Sequence, residues 1–169
     1  TGVYNLTSNG LNDCFLAKMD NQGNFLWAIS FGGSNYDNLY GIETDAAGNL
    51  FLTGAFQETV DFDPGSGIFN LVSVGSADIF VLKLNASGNF LWAVQVGAVD
   101  SDVAFDLAAT PDGGALLTGH FYQTTDFDPG PGVHEESSVG SSASAFLLKL
   151  DEYGVFVWVK TFSGINTVQ

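Results

Sequence analysis

The chain has 169 residues, with 19 Asp and Glu against 4 Lys and Arg, for a formal net charge of −15. That balance excludes ordinary nucleic-acid binding, which needs a basic face, and points to self-repulsion, divalent-cation binding or both. Hydrophobic residues make up 46%, 15 of them Phe, so the chain fills a core rather than staying disordered. Cys14 is the single cysteine, which excludes an intrachain disulfide. No apolar run approaches the roughly 18 residues of a membrane-spanning helix.

In chain order, the first predicted element is a hairpin within 14–31, with Phe15 three residues before Lys18 and Trp27 beyond a Gly-Asn turn. A short strand follows at 40–45, closed by the turn Ala46-Ala-Gly-Asn49, and then an apolar strand at 50–56. After the loop Asp61-Phe-Asp-Pro-Gly65 comes a strand at 79–84, the turn Asn85-Ala-Ser-Gly-Asn89 and a strand at 90–96. The stretch at 67–74 also reads as a strand and is expected to extend the sheet edge. The same series then returns. Thr59-Val-Asp-Phe-Asp-Pro-Gly65 recurs 65 residues on as Thr124-Thr-Asp-Phe-Asp-Pro-Gly130, and Leu52-Thr-Gly54 as Leu117-Thr-Gly119. Gly23-Asn-Phe-Leu-Trp-Ala28 recurs as residues 88–93. The runs are 5–8 residues long, rich in aromatic and β-branched residues and bounded by Gly, Asn and Asp. No stretch combines helical periodicity with a capping signal.

The expected fold is therefore all-β. Four antiparallel strands per unit, here termed a to d, repeated in tandem, is the plan of a β-propeller blade. A blade repeat is typically about 40–50 residues, so the 65-residue unit carries an insertion between b and c, at 57–78 and again at 122–144. The chain divides into a half blade at 1–36 (strands c and d), a complete blade at 37–99 and another at 100–169, about two and a half blades in all. Since a propeller closes with about 4–8 blades, the remaining blades of a longer parent chain are expected as partners. Taken alone, the chain is expected to expose apolar sheet faces and to associate or unfold readily.

Lys83-Leu-Asn-Ala-Ser-Gly-Asn-Phe-Leu-Trp92, Gly32-Gly-Ser-Asn-Tyr-Asp37, Gly41-Ile-Glu-Thr-Asp-Ala-Ala-Gly-Asn49 and Leu52-Thr-Gly54 together carry a family resemblance. The chain resembles the bacterial SBBP-type β-propeller repeat and, more distantly, NHL-type blades. The resemblance implies an extracellular or bacterial cell-surface location and no defined chemistry of its own.

The repeated acidic loops are the candidate functional residues: Asp61, Asp63 and Gly65, and their copies Asp126, Asp128 and Gly130. Alternating Asp places two carboxylates on one side of a tight segment, with Phe62 or Phe127 directed into the fold. Pro fixes the backbone, and Gly allows a turn that aims carbonyl oxygens inward. Calcium takes 6–8 hard oxygen ligands of this kind. The b–c insertion and the d–a loop fall on one face, which makes Asp37, Asp100 and Asp102 additional candidate ligands. The competing reading is a turn in which the carboxylates hold backbone N–H groups without metal. Asp20, Asp45, Asp112 and Asp151 read as turn formers. Lys18, Lys83 and Lys149 occupy one repeated position and are expected to pair with an acid on an adjacent strand. Trp27, Trp92 and Trp158 are expected to pack blade against blade.

His120 and His134 stand outside the repeat, and no nucleophile elbow, metalloprotease helix or phosphate-binding glycine loop occurs. The expectation is a non-enzymatic surface module, stabilised by calcium and presenting loops to a protein or glycan ligand. The alternative is that these blades scaffold a larger secreted enzyme, such as a polysaccharide-active hydrolase or lyase, whose catalytic residues lie elsewhere.

Overall fold

The computed structural model describes residues 4–164. Among them there is no helix, and none therefore long and apolar enough to cross a membrane. A first hairpin comprises β1 (Cys14–Met19) and β2 (Phe25–Phe31). A four-stranded antiparallel sheet follows, built from β3 (Asn38–Thr44), β4 (Leu50–Phe56), β7 (Asp78–Leu84) and β8 (Phe90–Val96) in that order. A second such sheet has the order β9 (Val103–Ala109), β10 (Ala115–Phe121), β13 (Ser144–Leu150) and β14 (Phe156–Phe162). Between second and third strands each sheet sends out a two-stranded ribbon: β5 (Thr59–Asp61) with β6 (Asn70–Val72), and β11 (Thr124–Asp126) with β12 (Glu135–Ser137).

Local chemistry closes the hairpins. Asp20, Asp45 and Asp151 each accept the backbone N–H groups two and four residues on, and Asn85 does the same through its amide oxygen. The fourth turn residue is glycine each time, at φ between 80° and 82°, the left-handed region that a Cβ disfavours. Glycine has a different task at 54 and 119. A Cβ there would lie 1.9 Å from the carbonyl oxygen of Asn38 or Val103, beside a bulge in the first–second strand pairing.

Period-two alternation then assigns each strand face to a different neighbour. Leu50, Leu52, Phe80, Leu82 and Leu84 pack toward the first hairpin, against Cys14 and Phe31. Phe51, Ile79 and Val81 point the opposite way, against Leu117, Phe146 and Leu148 of the last sheet. Every residue of β4 and β7 is buried because both faces are covered. Full burial of each such side chain contributes about 1.5–3 kcal/mol relative to exposure. The result is an all-β, propeller-like stack of sheets packed face to face in sequence order.

One expected element lies elsewhere. The stretch at 67–74 does not extend a sheet edge by backbone pairing; its residues 70–72 form β6 and pair with β5. The ribbon is hydrogen-bonded to β8 through Gln95, whose amide accepts from Val72 N at 3.2 Å and donates to Val72 O at 2.9 Å. Phe69 stacks on Phe90 beside it, at 4.8 Å between ring centroids.

Candidate functional site

The two acidic loops have matching geometry. Oδ1 of Asp61 accepts the N–H groups of Asp63 (3.0 Å) and Phe69 (2.8 Å), and Oδ1 of Asp126 accepts those of Asp128 (3.0 Å) and His134 (2.7 Å). Asp63 and Asp128 each hold the N–H two residues on, at Gly65 and Gly130, at 2.8 Å. Between the acids, Phe62 and Phe127 are fully buried plugs. Asp63 Oδ2 is crowded over Gly67 and Asp128 Oδ2 over Gly132; a Cβ on either glycine would come within 2.1 Å. As placed, each loop offers two carboxylates whose Oδ1 atoms already hold the backbone. Among the described residues no three His, Cys, Asp or Glu side chains form a group that could hold a metal. The side chains of each loop thus supply two carboxylates, and a 6–8-oxygen calcium shell there would need carbonyl or water oxygens besides.

The additional acids do not converge on these loops. Asp37 is buried and ties Gly33 N (2.7 Å) to Gln57 N (3.2 Å), joining the d–a loop to the end of β4. Asp102 repeats this, accepting from Ala98 N (2.8 Å) and Tyr122 N (3.0 Å). Asp100 instead takes the Gln123 amide at the mouth of an open hollow of about 380 Å³, lined by Ser76, Ser101, Tyr122 and Ser141.

A further pair of acids escaped the sequence reading. Asp13, just before β1, and Asp78, the first residue of β7, each accept an N–H four residues back, from Asn9 (2.7 Å) and Val74 (2.8 Å). The signal was there: both are followed by Cys or Ile and a Phe, 65 residues apart. Gly32 and Gly97 make room for them, since a Cβ on Gly97 would lie 2.4 Å from Asp78 Cγ. Asp78 is fully buried, its Oδ1 has no hydrogen-bond partner, and burial pushes its carboxyl up to about 6. Burial likewise raises Asp37 and Asp102. The buried Cys14 thiol is pushed up to about 12, by burial first and by Asp37 and Asp13 next, so it is no nucleophile at neutral pH.

The lysines correct an expectation. Only Lys149 meets an acid, donating to Asp112 at 2.8 Å and holding that carboxyl well below its ordinary range. Lys18 and Lys83 instead reach backbone carbonyls of the next unit: Ala86 at 2.7 Å, and Gly113 at 3.0 Å with Glu152 at 3.3 Å. A carbonyl near 3 Å serves a buried ammonium without requiring a second desolvated charge. Trp27 and Trp92 do pack unit against unit. His120 makes tilted and edge-on ring contacts with Phe105 and Tyr122, and His134 a tilted one with Phe156.

No family model matches the chain. It is similar to an uncharacterized WD repeat-containing protein of Acanthamoeba polyphaga mimivirus, at 26% identity over 99% of this chain and 13% of that protein. It is also similar to the regulatory protein FlaEY of Caulobacter vibrioides, at 30% identity over 70% of this chain and 12% of that protein. The chain thus spans roughly an eighth of the length of the curated relatives it matches. Together with the stacked antiparallel sheets, the first likeness supports the class: a repeat module of the β-propeller kind.

Proposed function

We propose that the chain is a run of β-propeller blades serving as a structural and binding module, without catalytic chemistry of its own, within a longer extracellular or cell-surface protein of SBBP type. The observation that carries this reading is the use of the repeated polar groups. In both complete units, the acids of the 61–63 and 126–128 loops, the d–a acids Asp37 and Asp102 and the turn acids Asp45 and Asp151 hold backbone N–H groups. Chemistry repeated in this way maintains the scaffold. Partner recognition is left to groups that differ between units. Half-exposed Tyr40 and Phe105, with ring centroids 5.9 Å apart, continue into His120 and Tyr122, where the preceding unit has Ala55 and Gln57. Such an aromatic wall suits a protein or glycan ligand. A groove of about 480 Å³ lies between the start of β1 and the start of β3, lined by Leu11, Asp13, Phe15, Asp37 and Leu39.

Hydrogen exchange tests the stack. Amides of β4 and β7 should exchange slowest, because both faces of those strands are covered. Uniform protection across β1, β4 and β10 would remove the blade-stack reading.

We read the Asp-Phe-Asp-Pro-Gly loops as turn locks rather than ion cages. Calorimetric titration with calcium should then register no uptake, and millimolar calcium should leave the melting temperature unmoved. Asp61→Asn should cost about 0.5–1.5 kcal/mol by weakening a charge-assisted acceptor. A rise in melting temperature that saturates with calcium and is halved by Asp61→Asn with Asp63→Asn would restore the metal reading.

A further inference from the structure

Polar groups that recur from unit to unit hold the backbone, so a place where the repeat is broken is where other chemistry can sit. One such place is the hollow of about 380 Å³ where the two complete units meet, lined by Ser76, Asp100, Ser101, Tyr122 and Ser141. Its volume falls within the roughly 300–1,000 Å³ typical of small-molecule sites. Counting back 65 residues, the preceding junction has Leu11 for Ser76, Asn35 for Asp100, Tyr36 for Ser101 and Gln57 for Tyr122. The backbone is the same at both junctions. Asn12 bridges to Tyr36 as Ala77 does to Ser101, and Asp37 holds Gln57 N as Asp102 holds Tyr122 N. Two bulky side chains have thus become serines, which opens space. On the walls of that space an amide has become a phenol, and an asparagine an acid.

These groups are held in place. Tyr122 N donates to the buried Asp102 at 3.0 Å, and the Tyr122 ring meets His120 edge-on at 5.4 Å between centroids. Gln123, at φ 53°, donates its side-chain amide to Asp100 Oδ2, and Oδ1 has no partner among the described residues. The lining is chemically selective. One aromatic ring suits a patch of weakly polarised C–H groups. The three serine hydroxyls and the tyrosine hydroxyl can each donate and accept, whereas the Asp100 carboxylate only accepts. No lysine or arginine lines the hollow, so a phosphate or carboxylate would meet Asp100 uncompensated. No aliphatic side chain lines it either, so a lipid tail or an apolar peptide side chain would leave the hydroxyls unpaired. An uncharged polyol with a C–H face uses every group.

We infer that the hollow between the two complete units binds a neutral pyranose, with the C–H face of the sugar against Tyr122 and adjacent hydroxyls shared between Asp100 and the serines. The inference rests on the binding-module reading and narrows its ligand to a glycan. An open hollow with a single ring gives a weak site for one sugar residue, with a Kd on the order of 1 mM.

Saturation-transfer NMR of the full chain, with methyl α-glucoside, methyl β-galactoside and methyl α-mannoside as separate probes, tests the site. At least one sugar should receive transfer at its ring protons and saturate. The repeat itself supplies variants that its backbone already accommodates. Tyr122→Gln and Ser101→Tyr, each installing the residue of the preceding junction, should abolish the signal. Asp100→Asn, the third such exchange, should weaken binding by about tenfold. An unchanged melting temperature certifies that each variant is folded. No transfer to any of the three sugars from wild type, or undiminished binding by either of the first two variants, would overturn the site. Binding of tetramethylammonium in place of every sugar, lost with Asp100→Asn, would assign the hollow to an amine and overturn it equally. Hydrogen exchange separates this failure from that of the wider reading. If no sugar binds while β4 and β7 still exchange slowest, the module stands and only the glycan site is lost. If protection is uniform, the module reading falls whatever the sugars do.

Discussion

Phe62→Ala should lower the stability of the chain by about 3–5 kcal/mol, a large share of the 5–15 kcal/mol typical of a domain. The ring is fully buried and lies 5.6 Å from Phe31, 5.3 Å from Phe56 and 5.1 Å from Phe80 by centroid. Phe31 belongs to the first hairpin and the other two to the adjoining sheet, so truncation opens a cavity across both. The loop around it cannot follow the ring inward, since Asp61 and Asp63 hold its backbone. Phe69→Ala is the control. That ring is 38% exposed and stacks chiefly on Phe90, so its loss should cost well under half as much. Urea denaturation measures both, with an unchanged m-value certifying that the unfolded state is not what moved. A Phe62→Ala cost below about 1 kcal/mol would mean that the ribbon is not anchored by its buried ring.

Acidification from pH 7.5 to 5 should raise the melting temperature. Burial pushes the Asp78 carboxyl up to about 6, whereas in the unfolded chain it titrates near 3.8. Between those values the folded state holds the extra proton, so stability increases as the pH falls through 6 and levels off below about 4. At about 1.4 kcal/mol per pH unit, the gain from Asp78 is at most about 3 kcal/mol. Asp37 and Asp102, also raised by burial, act with the same sign. Asp112, held low by Lys149, opposes them only below its ordinary value of 3.8. Asp78→Asn should reduce the rise, because one of the groups that changes charge is gone while an oxygen remains for Val74 N; Asp37 and Asp102 retain theirs. A melting temperature that falls steadily from pH 7.5 to 5 would refute the assignment.

The strands and their order were legible because their causes are local. Asp or Asn followed by glycine at the fourth place closes a hairpin wherever it occurs, and the 65-residue self-match located each hairpin within its unit. Long-range partners were not legible. Lys83 reads as a cation seeking an acid, and a sequence displays side chains, not the Gly113 and Glu152 carbonyls that it meets. Asp78 resembles any acid before a strand until packing seals it beside Gly97. The segment at 67–74 has strand composition, yet Asp61 pulls Phe69 N back toward β5 and turns the chain into a ribbon. The acidic loops were recognised as special, and both readings of them were physically sound; of the two backbone N–H groups held by Asp61 and by Asp126, one is local and the other comes from eight positions away.

The clamp between units, a lysine on a backbone carbonyl and a tryptophan over a turn glycine, grips features that survive almost any change in the residues around them. Ala86 and Glu152 occupy the gripped position, one small and neutral, the other long and charged, and each accepts the lysine of the unit before it, Lys18 or Lys83. A joint with so little dependence on side-chain identity needs no compensating substitution when one unit is exchanged for another. Gene segments encoding such units can be duplicated, lost or reordered and still assemble at once, leaving the exposed rings and loops free to diverge.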